Sequence, residues 1–414
     1  WHDFSQSTRF CLLCNNSNQI DAMKTVLLVW ATLRMLVQIP VLFASHLRPL
    51  TALEARVSVW SPVLPLGTWL VRIFLLPWQR WDVIYYLWIV ARGYAVYDGT
   101  AQFHPLFPWL ARLLTWLGVS PLLALLGVNN VATVVLLIVF LRLAQFDMPP
   151  SQARAATLAL LCSPFAFALF IPYSESLFLV WSVLCLYWSR RQQWRMAGLA
   201  GVLATLTRQQ GLFLLLPMAC EVWESAGRDV SRALRNGRAW GGVVLPALSY
   251  GMWVIYRAFM LRDVQPDWSS IHSLVYTVLI SPSAATVVPA QTFMWPWQAF
   301  CLAWQKMMAV ADVDVIVNIV GGIGFIVLAV LAWPRLRLSY RVYTIVIVVV
   351  SFAYQTGSIH PYMGLLRHLL LAFPVFLGFG KRSYKPVVCA LGLGLGVLGQ
   401  CFLLLLYGLE AWVP

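Results

Sequence analysis

Long stretches of this chain are predominantly apolar, and the apolar residues run continuously rather than in alternation. Ten such runs lie near residues 24 to 46, 120 to 142, 155 to 172, 174 to 189, 196 to 222, 240 to 261, 313 to 333, 342 to 357, 364 to 380 and 386 to 408. A backbone surrounded by lipid must satisfy its own hydrogen bonds, so continuous apolar runs read as helices rather than barrel strands. At about 20 residues per crossing the runs predict an all-α, polytopic transmembrane bundle of about ten spans.

The polar intervals predict an orientation. Arg142 with Arg154, then Arg190, Arg191 and Arg195, then Arg228 to Arg238, then Arg335, Arg337 and Arg341, then Lys381, Arg382 and Lys385 punctuate the runs. Basic residues collect in short cytoplasmic loops, so all five groups are expected on that side. The long connections 47–119 and 262–312 and the turns at Pro172 to Glu175 and Gly357 to Met363 then face the other way. Run 196 to 222 has basic loops at both ends, which one crossing cannot satisfy. It is expected to be two short helices broken at Thr207-Arg208-Gln209-Gln210-Gly211, returning to the side it came from. Polar backbone at that depth must be covered by protein or line a cavity.

Within loop 47–119, Tyr85 to Ala91 and Pro108 to Trp116 read as helices lying in the interface plane, with aromatics at headgroup level. Ser281 to Trp304 has the same character, its prolines interrupting any long helix. No internal repeat of the kind found in secondary transporters is visible. Met23-Lys24 before the first run resembles a start and an uncleaved anchor. Residues 1–22 are set apart as a segment of unclear role, and 23–414 as a single transmembrane domain.

Composition agrees: 61% of residues are hydrophobic and 11% charged, and the mean hydropathy is +0.76, far from a soluble domain. The excess of 29 Lys and Arg over 15 Asp and Glu belongs to the loops and lacks the aromatic interleaving of a nucleic-acid surface, so no nucleic-acid partner is expected. Cys162, Cys185, Cys220, Cys389 and Cys401 fall inside apolar runs and read as small hydrophobes. Cys11 and Cys14 form one C-x-x-C without a second ligand pair, and the six histidines have no metal spacing, so no metal is expected.

With so few acids in a lipid-solvated chain, each one near a run needs a reason. Asp82, in Arg80-Trp81-Asp82, reads either as an N-cap for the helix beginning at Val83, paired with Arg80, or as a general base. Glu175 stands at the outer end of a run. Inverting glycosyl transfer needs one carboxylate to take the acceptor's proton, and if the leaving group is already a phosphate anion no acid is required. That anion calls for a cation: Arg80, Arg367 and His368 are candidates on the outer side, with His360 nearby. Arg367 could instead snorkel from a helix end. Arg208 reads as a donor-phosphate ligand, a partner for Glu175, or a cap for helix-end carbonyls. His104 is open between a hydrogen-bonding structural residue and a substrate contact.

These residues fall in blocks with a known likeness. Trp81-Asp82, Ile89, Gly93-Tyr94 and Phe103-His104-Pro105-Leu106-Phe107-Pro108 resemble the first luminal loop of the PIG-V-like mannosyltransferases. Ser163-Pro164 with Tyr173-Ser174-Glu175-Ser176-Leu177-Phe178, then Ala204-Thr205-Leu206-Thr207-Arg208-Gln209-Gln210-Gly211, then Arg367-His368-Leu369-Leu370 with Ala372-Phe373-Pro374, resemble three further family blocks in the same order. The resemblance runs from about residue 81 to 374. It implies a GT-C type glycosyltransferase that uses dolichyl- or polyprenyl-phosphate mannose as donor, a glycolipid or glycan as acceptor, and no cofactor. It also implies Asp82 as base and a substrate pocket drawn from Trp81, Tyr85, Tyr94, His104, Tyr173, Glu175 and His360. Eukaryotic members add the second mannose of the glycosylphosphatidylinositol precursor in the endoplasmic reticulum. Tyr85, Val90 and His104 depart from the family pattern, and the absence of extended loops implies a prokaryotic relative in a bacterial or archaeal plasma membrane, with its site on the non-cytoplasmic face. The competing classes are a lipid or lipid-linked-sugar flippase, a membrane acyltransferase, for which no histidine has a clear partner, and a non-catalytic homologue that binds a lipid-linked glycan.

Overall fold

A continuous apolar run in lipid can satisfy its own backbone hydrogen bonds only as a helix, and in the computed structural model every one of the ten runs is helical, wholly or in pieces. The structure describes residues 17–48, 68–96, 98–261, 269–270, 292–356, 360–381 and 385–411. Cys11, Cys14 and residues 281–291 of the second outer region lie outside the described residues.

Among the described residues the α-helices, in chain order, are α1 (Ser17–Leu36), α2 (Gln38–Leu47), α3 (Thr68–Phe74), α4 (Asp82–Arg92), α5 (Leu106–Thr115), α6 (Pro121–Ala144), α7 (Pro150–Leu161), α8 (Glu175–Arg190), α9 (Trp194–Thr207), α10 (Leu215–Ser225), α11 (Val230–Leu234), α12 (Gly237–Phe259), α13 (Pro296–Ala309), α14 (Val313–Ala332), α15 (Leu338–Ala353), α16 (Leu365–Leu370), α17 (Pro374–Gly380) and α18 (Pro386–Gly408). Among the described residues the sole extended pairing is a two-residue antiparallel ribbon, Thr292–Phe293 against Tyr354–Gln355. The protein is an all-α membrane protein.

Among the described residues five helices are long and apolar enough to cross a bilayer: Ile20–Leu47, Pro121–Ala144, Gly237–Phe259, Val313–Arg335 and Pro386–Gly408. They coincide with five of the ten runs. The other five are shorter or interrupted, for local reasons. Run 155 to 172 stops at Leu161 because Pro164 cannot continue a helix and holds Ser163 extended, and a 3₁₀ turn, Pro164–Leu169, follows. Run 364 to 380 divides where Pro374 begins α17. The first described helix, Ser17–Leu36, runs through residues 22 and 23. Pro296 likewise opens α13 rather than interrupting it.

Run 196 to 222 breaks where expected. Arg208 is extended, with φ −154° and ψ 149°, between α9 and a 3₁₀ turn, Gln209–Leu214, that leads into α10. A Cβ on Gly211 would lie 2.3 Å from the amide nitrogen of Thr205, so only glycine lets this turn close on the end of α9. The pair returns to its starting end. Arg190, just before α9, bonds Tyr340 and Asp147 at 3.0 and 2.7 Å, while Glu221 and Glu224 on α10 meet Arg337, with Ser339 also donating to Glu221. Arg190, Arg335, Arg337 and Lys381 therefore share one end of the bundle, with Lys381 donating to the Arg335 carbonyl. Asp82, Glu175, Arg208 and Arg367 gather toward the other.

Helices meet closely where side chains are small. Gly198 and Gly201 on α9 pack directly on Gly242 and Pro246 of α12, distances at which a Cβ would collide. Gly408 near the end of α18 packs in the same way on Ala44 of α2.

Candidate active site

Trp78 and the turn before α4 dip into the bundle, Trp78 and Arg80 being fully buried. At Trp81 the chain turns sharply, with φ 57° and ψ −133°, a left-handed conformation that costs a bulky residue on the order of 1–3 kcal/mol and persists only where the surroundings dictate it. Asp82 is the first helical residue beyond it. Trp81 occupies the capping position and no side chain caps the helix. The N-cap reading of Asp82, with Arg80 as partner, does not hold.

Arg367 from α16 reaches Asp82 instead, Nη1 donating to Oδ2 at 2.6 Å. The guanidinium side chain is 5% exposed and the carboxylate 22%, so the acid is the more accessible partner of the pair. Arg367 is not a snorkelling residue. It packs over the ring of Tyr173, 5.0 Å from the centroid, and its Nε lies 3.7 Å from Glu175 Oε1. Glu175, at the first position of α8 and without solvent exposure, contacts Arg208 Nη1 at 2.7 Å. Arg208 Nη1 also donates to Ser174 Oγ at 3.1 Å, and the Tyr86 hydroxyl donates to the same oxygen at 2.9 Å. The four charges alternate in sign, Asp82, Arg367, Glu175, Arg208, so the network is neutral overall, which is how charge survives burial.

Several polar atoms in this network are buried without a hydrogen bond: the Tyr173 hydroxyl, Arg367 Nε and both oxygens of Glu175. The Arg208 to Glu175 contact is close but misaligned, an ion pair rather than a directed bond. Buried polar groups are normally satisfied, and these unsatisfied atoms gather around one arginine.

The remaining expected residues divide. Tyr85 stacks on Phe103, with ring centroids 5.2 Å apart, and burial with Asp82 and Asp98 nearby raises its phenol above the usual range. It lines the Asp82 side. Trp81 donates its indole N–H to the Tyr407 carbonyl at 3.3 Å. Tyr94 donates to the Phe103 carbonyl at 2.7 Å and packs on Trp253, a structural tie. His104 bonds the Thr205 carbonyl through Nδ1 at 2.5 Å beside Trp253. That contact fixes the loop to the end of α9, and burial holds the imidazole neutral, pushed down to about 3. His368 is buried beside Arg367 and, with Ser351, Tyr354, Thr356 and Tyr362, lines a separate small pocket. His360 pairs with Asp314 at 2.6 Å.

Arg80 is the clear correction. Expected to hold the donor phosphate, it is fully buried and spends its guanidinium on Glu410 and on the Arg48 carbonyl, the latter at 2.5 Å. Arg208 resolves toward Glu175. Sequence reasoning missed Ser174, Tyr86 and Gln210 as organisers of Arg208, though Ser174 and Gln210 sit inside the quoted blocks. It also missed Glu410 and Asp314, whose signal was only that each is a carboxylate at the end of an apolar run. Among the described residues no three His, Cys, Asp or Glu side chains converge as a metal site.

A scan of the chain against protein-family models finds no match, and no curated protein matches it.

Proposed function

We propose that this protein is a membrane glycosyltransferase of GT-C type that moves mannose from a polyprenyl- or dolichyl-phosphate donor to a glycolipid or glycan acceptor, with inversion, at the non-cytoplasmic face. The observation that carries the reading is the Asp82 carboxylate, partly exposed at a helix start and held by the buried Arg367. An acceptor hydroxyl bonded to Asp82 would attack the anomeric carbon, its proton passing to the carboxylate while the bond from that carbon to the phosphate oxygen breaks. The lipid phosphate leaves as an anion, so a single carboxylate is enough.

Arg367 has two employments in this scheme. Without donor it pairs with Asp82; with donor, a phosphate oxygen competes for the same planar donors and releases the carboxylate to act as base. Glu175 and Arg208 keep Arg367 in place, and Tyr85 and Trp81 border the acceptor. The donor's lipid tail lies between helices, and all ten apolar runs sit in the membrane, α9 and α10 as a re-entrant pair. A row of alternating charges inside a helical bundle also suits a lipid-linked-sugar flippase or a non-catalytic binding homologue.

One assay separates these. Purified protein in detergent is given radiolabelled polyprenyl-phosphate mannose and a lipid extract of the source organism. Label in a new glycolipid or glycan supports transfer; donor bound but never consumed supports the binding and transport readings.

A further inference from the structure

Asp82 is aimed by a clamp that the apparent chemistry does not use. The strained Trp81 sits between Arg80, whose side chain is wholly buried, and Asp82. Arg80 Nη1 bonds Glu410 and its Nη2 bonds the Arg48 carbonyl. Glu410 also pairs with Arg48 at 2.5 Å. The Tyr407 hydroxyl donates to the carbonyls of Trp78 and Arg80 at 2.8 and 3.4 Å, while its own carbonyl accepts the Trp81 indole N–H. Arg48 Nη1 closes the ring on the Leu409 carbonyl at 2.8 Å. Thus the turn carrying Asp82 is gripped by the end of the first apolar rod and by the end of α18, more than 300 residues away in sequence.

A left-handed tryptophan relaxes unless its neighbours over-determine it, and a shift of about 1 Å in a reacting group can cost roughly 10²-fold in rate. We infer that Glu410, acting through Arg80 with Tyr407, is a positioning residue that holds Asp82 at the angle needed for proton transfer, and that the last turn of α18 is thereby part of the active site's framework. The inference rests on the proposed role of Asp82. Arg80 suits this duty because its planar fork holds two donors in fixed directions, Nη1 on the Glu410 carboxylate and Nη2 on the Arg48 carbonyl, where a lysine offers a single rotatable point charge.

The test compares Glu410→Gln, Glu410→Asp, Tyr407→Phe and Asp82→Asn with wild type, in detergent. The readouts are kcat and KM for synthetic polyprenyl-phosphate mannose, and hydrogen exchange over residues 78–84. For Glu410→Gln the expectation is a kcat lower by about 10- to 100-fold, KM for the donor within about twofold, faster exchange confined to 78–84, and partial rescue in Glu410→Asp. Tyr407→Phe should show a milder form of the same pattern, and it carries the test if Glu410→Gln does not fold. Wild-type kcat and unchanged exchange in the folded variants would overturn the inference while Asp82→Asn remained inactive. If wild type transfers nothing, or Asp82→Asn transfers normally, it is the proposed function that fails, and hydrogen exchange alone then decides whether the clamp holds the turn.

Discussion

Arg367 and Asp82 stand 285 residues apart in the chain and meet at 2.6 Å, a buried cation on a partly exposed acid. That contact joins the loop after the first apolar rod to the short helix α16, and through Glu175 it extends to the turn between α9 and α10. Most of what the protein is proposed to do depends on whether this chain of charges is held as a unit.

Its inner half should behave as one energetic object. Arg208→Met leaves Glu175 buried without its nearer partner and should cost about 3–5 kcal/mol, whereas Arg208→Met with Glu175→Gln should cost clearly less than the two single changes summed. Denaturation of the purified variants in detergent provides the cycle. Strict additivity would mean that the two side chains are not coupled.

The turn that presents Arg208 depends on Gly211. Gly211→Ala should destabilise by about 1–3 kcal/mol or more, because the added methyl meets the backbone of Thr205 and Ala204, which cannot give way as a flexible side chain can. Gly241→Ala in α12, with open space around the new atom, should be neutral or stabilising by up to about 1 kcal/mol. Melting temperatures of the two variants side by side make the comparison.

His104 predicts a pH dependence of stability. Its imidazole is held neutral by burial, down to about 3 from an ordinary 6.5. Between those values the unfolded chain binds a proton that the folded one does not, so stability rises with pH and is lost as pH falls from 6.5 toward 3, with a slope of at most about 1.4 kcal/mol per pH unit from this group. His104→Asn, which cannot titrate, should flatten that part of the stability curve; an unchanged slope would show that His104 is solvated.

Some of this was legible in the sequence. The break at Arg208 showed because five polar or small residues interrupt an apolar run, and the common end of Arg190, Arg335, Arg337 and Lys381 showed because basic residues collect in the loops of one face. The five long helices were read within a few residues. The shorter ones were not resolved from them, because a proline such as Pro164 or Pro374 divides a run whose composition stays apolar throughout. Asp82, Glu175, Arg208 and Arg367 were each singled out, and Glu175 was among the partners read for Arg208, but the Asp82–Arg367 contact was hidden: pairing across 285 residues leaves no local periodicity. Arg80 misled for the same reason. Its neighbour in sequence is Asp82, and its partner in space is Glu410.

The central claim is that Asp82 takes the acceptor's proton, and the direct measurement is the rate of mannose transfer from polyprenyl-phosphate mannose by Asp82→Asn and wild type, both shown to be folded by their melting in detergent. Asn keeps the shape and loses the base, so transfer should fall by about 10²- to 10⁴-fold with donor binding retained. Transfer by Asp82→Asn at the wild-type rate would contradict the account.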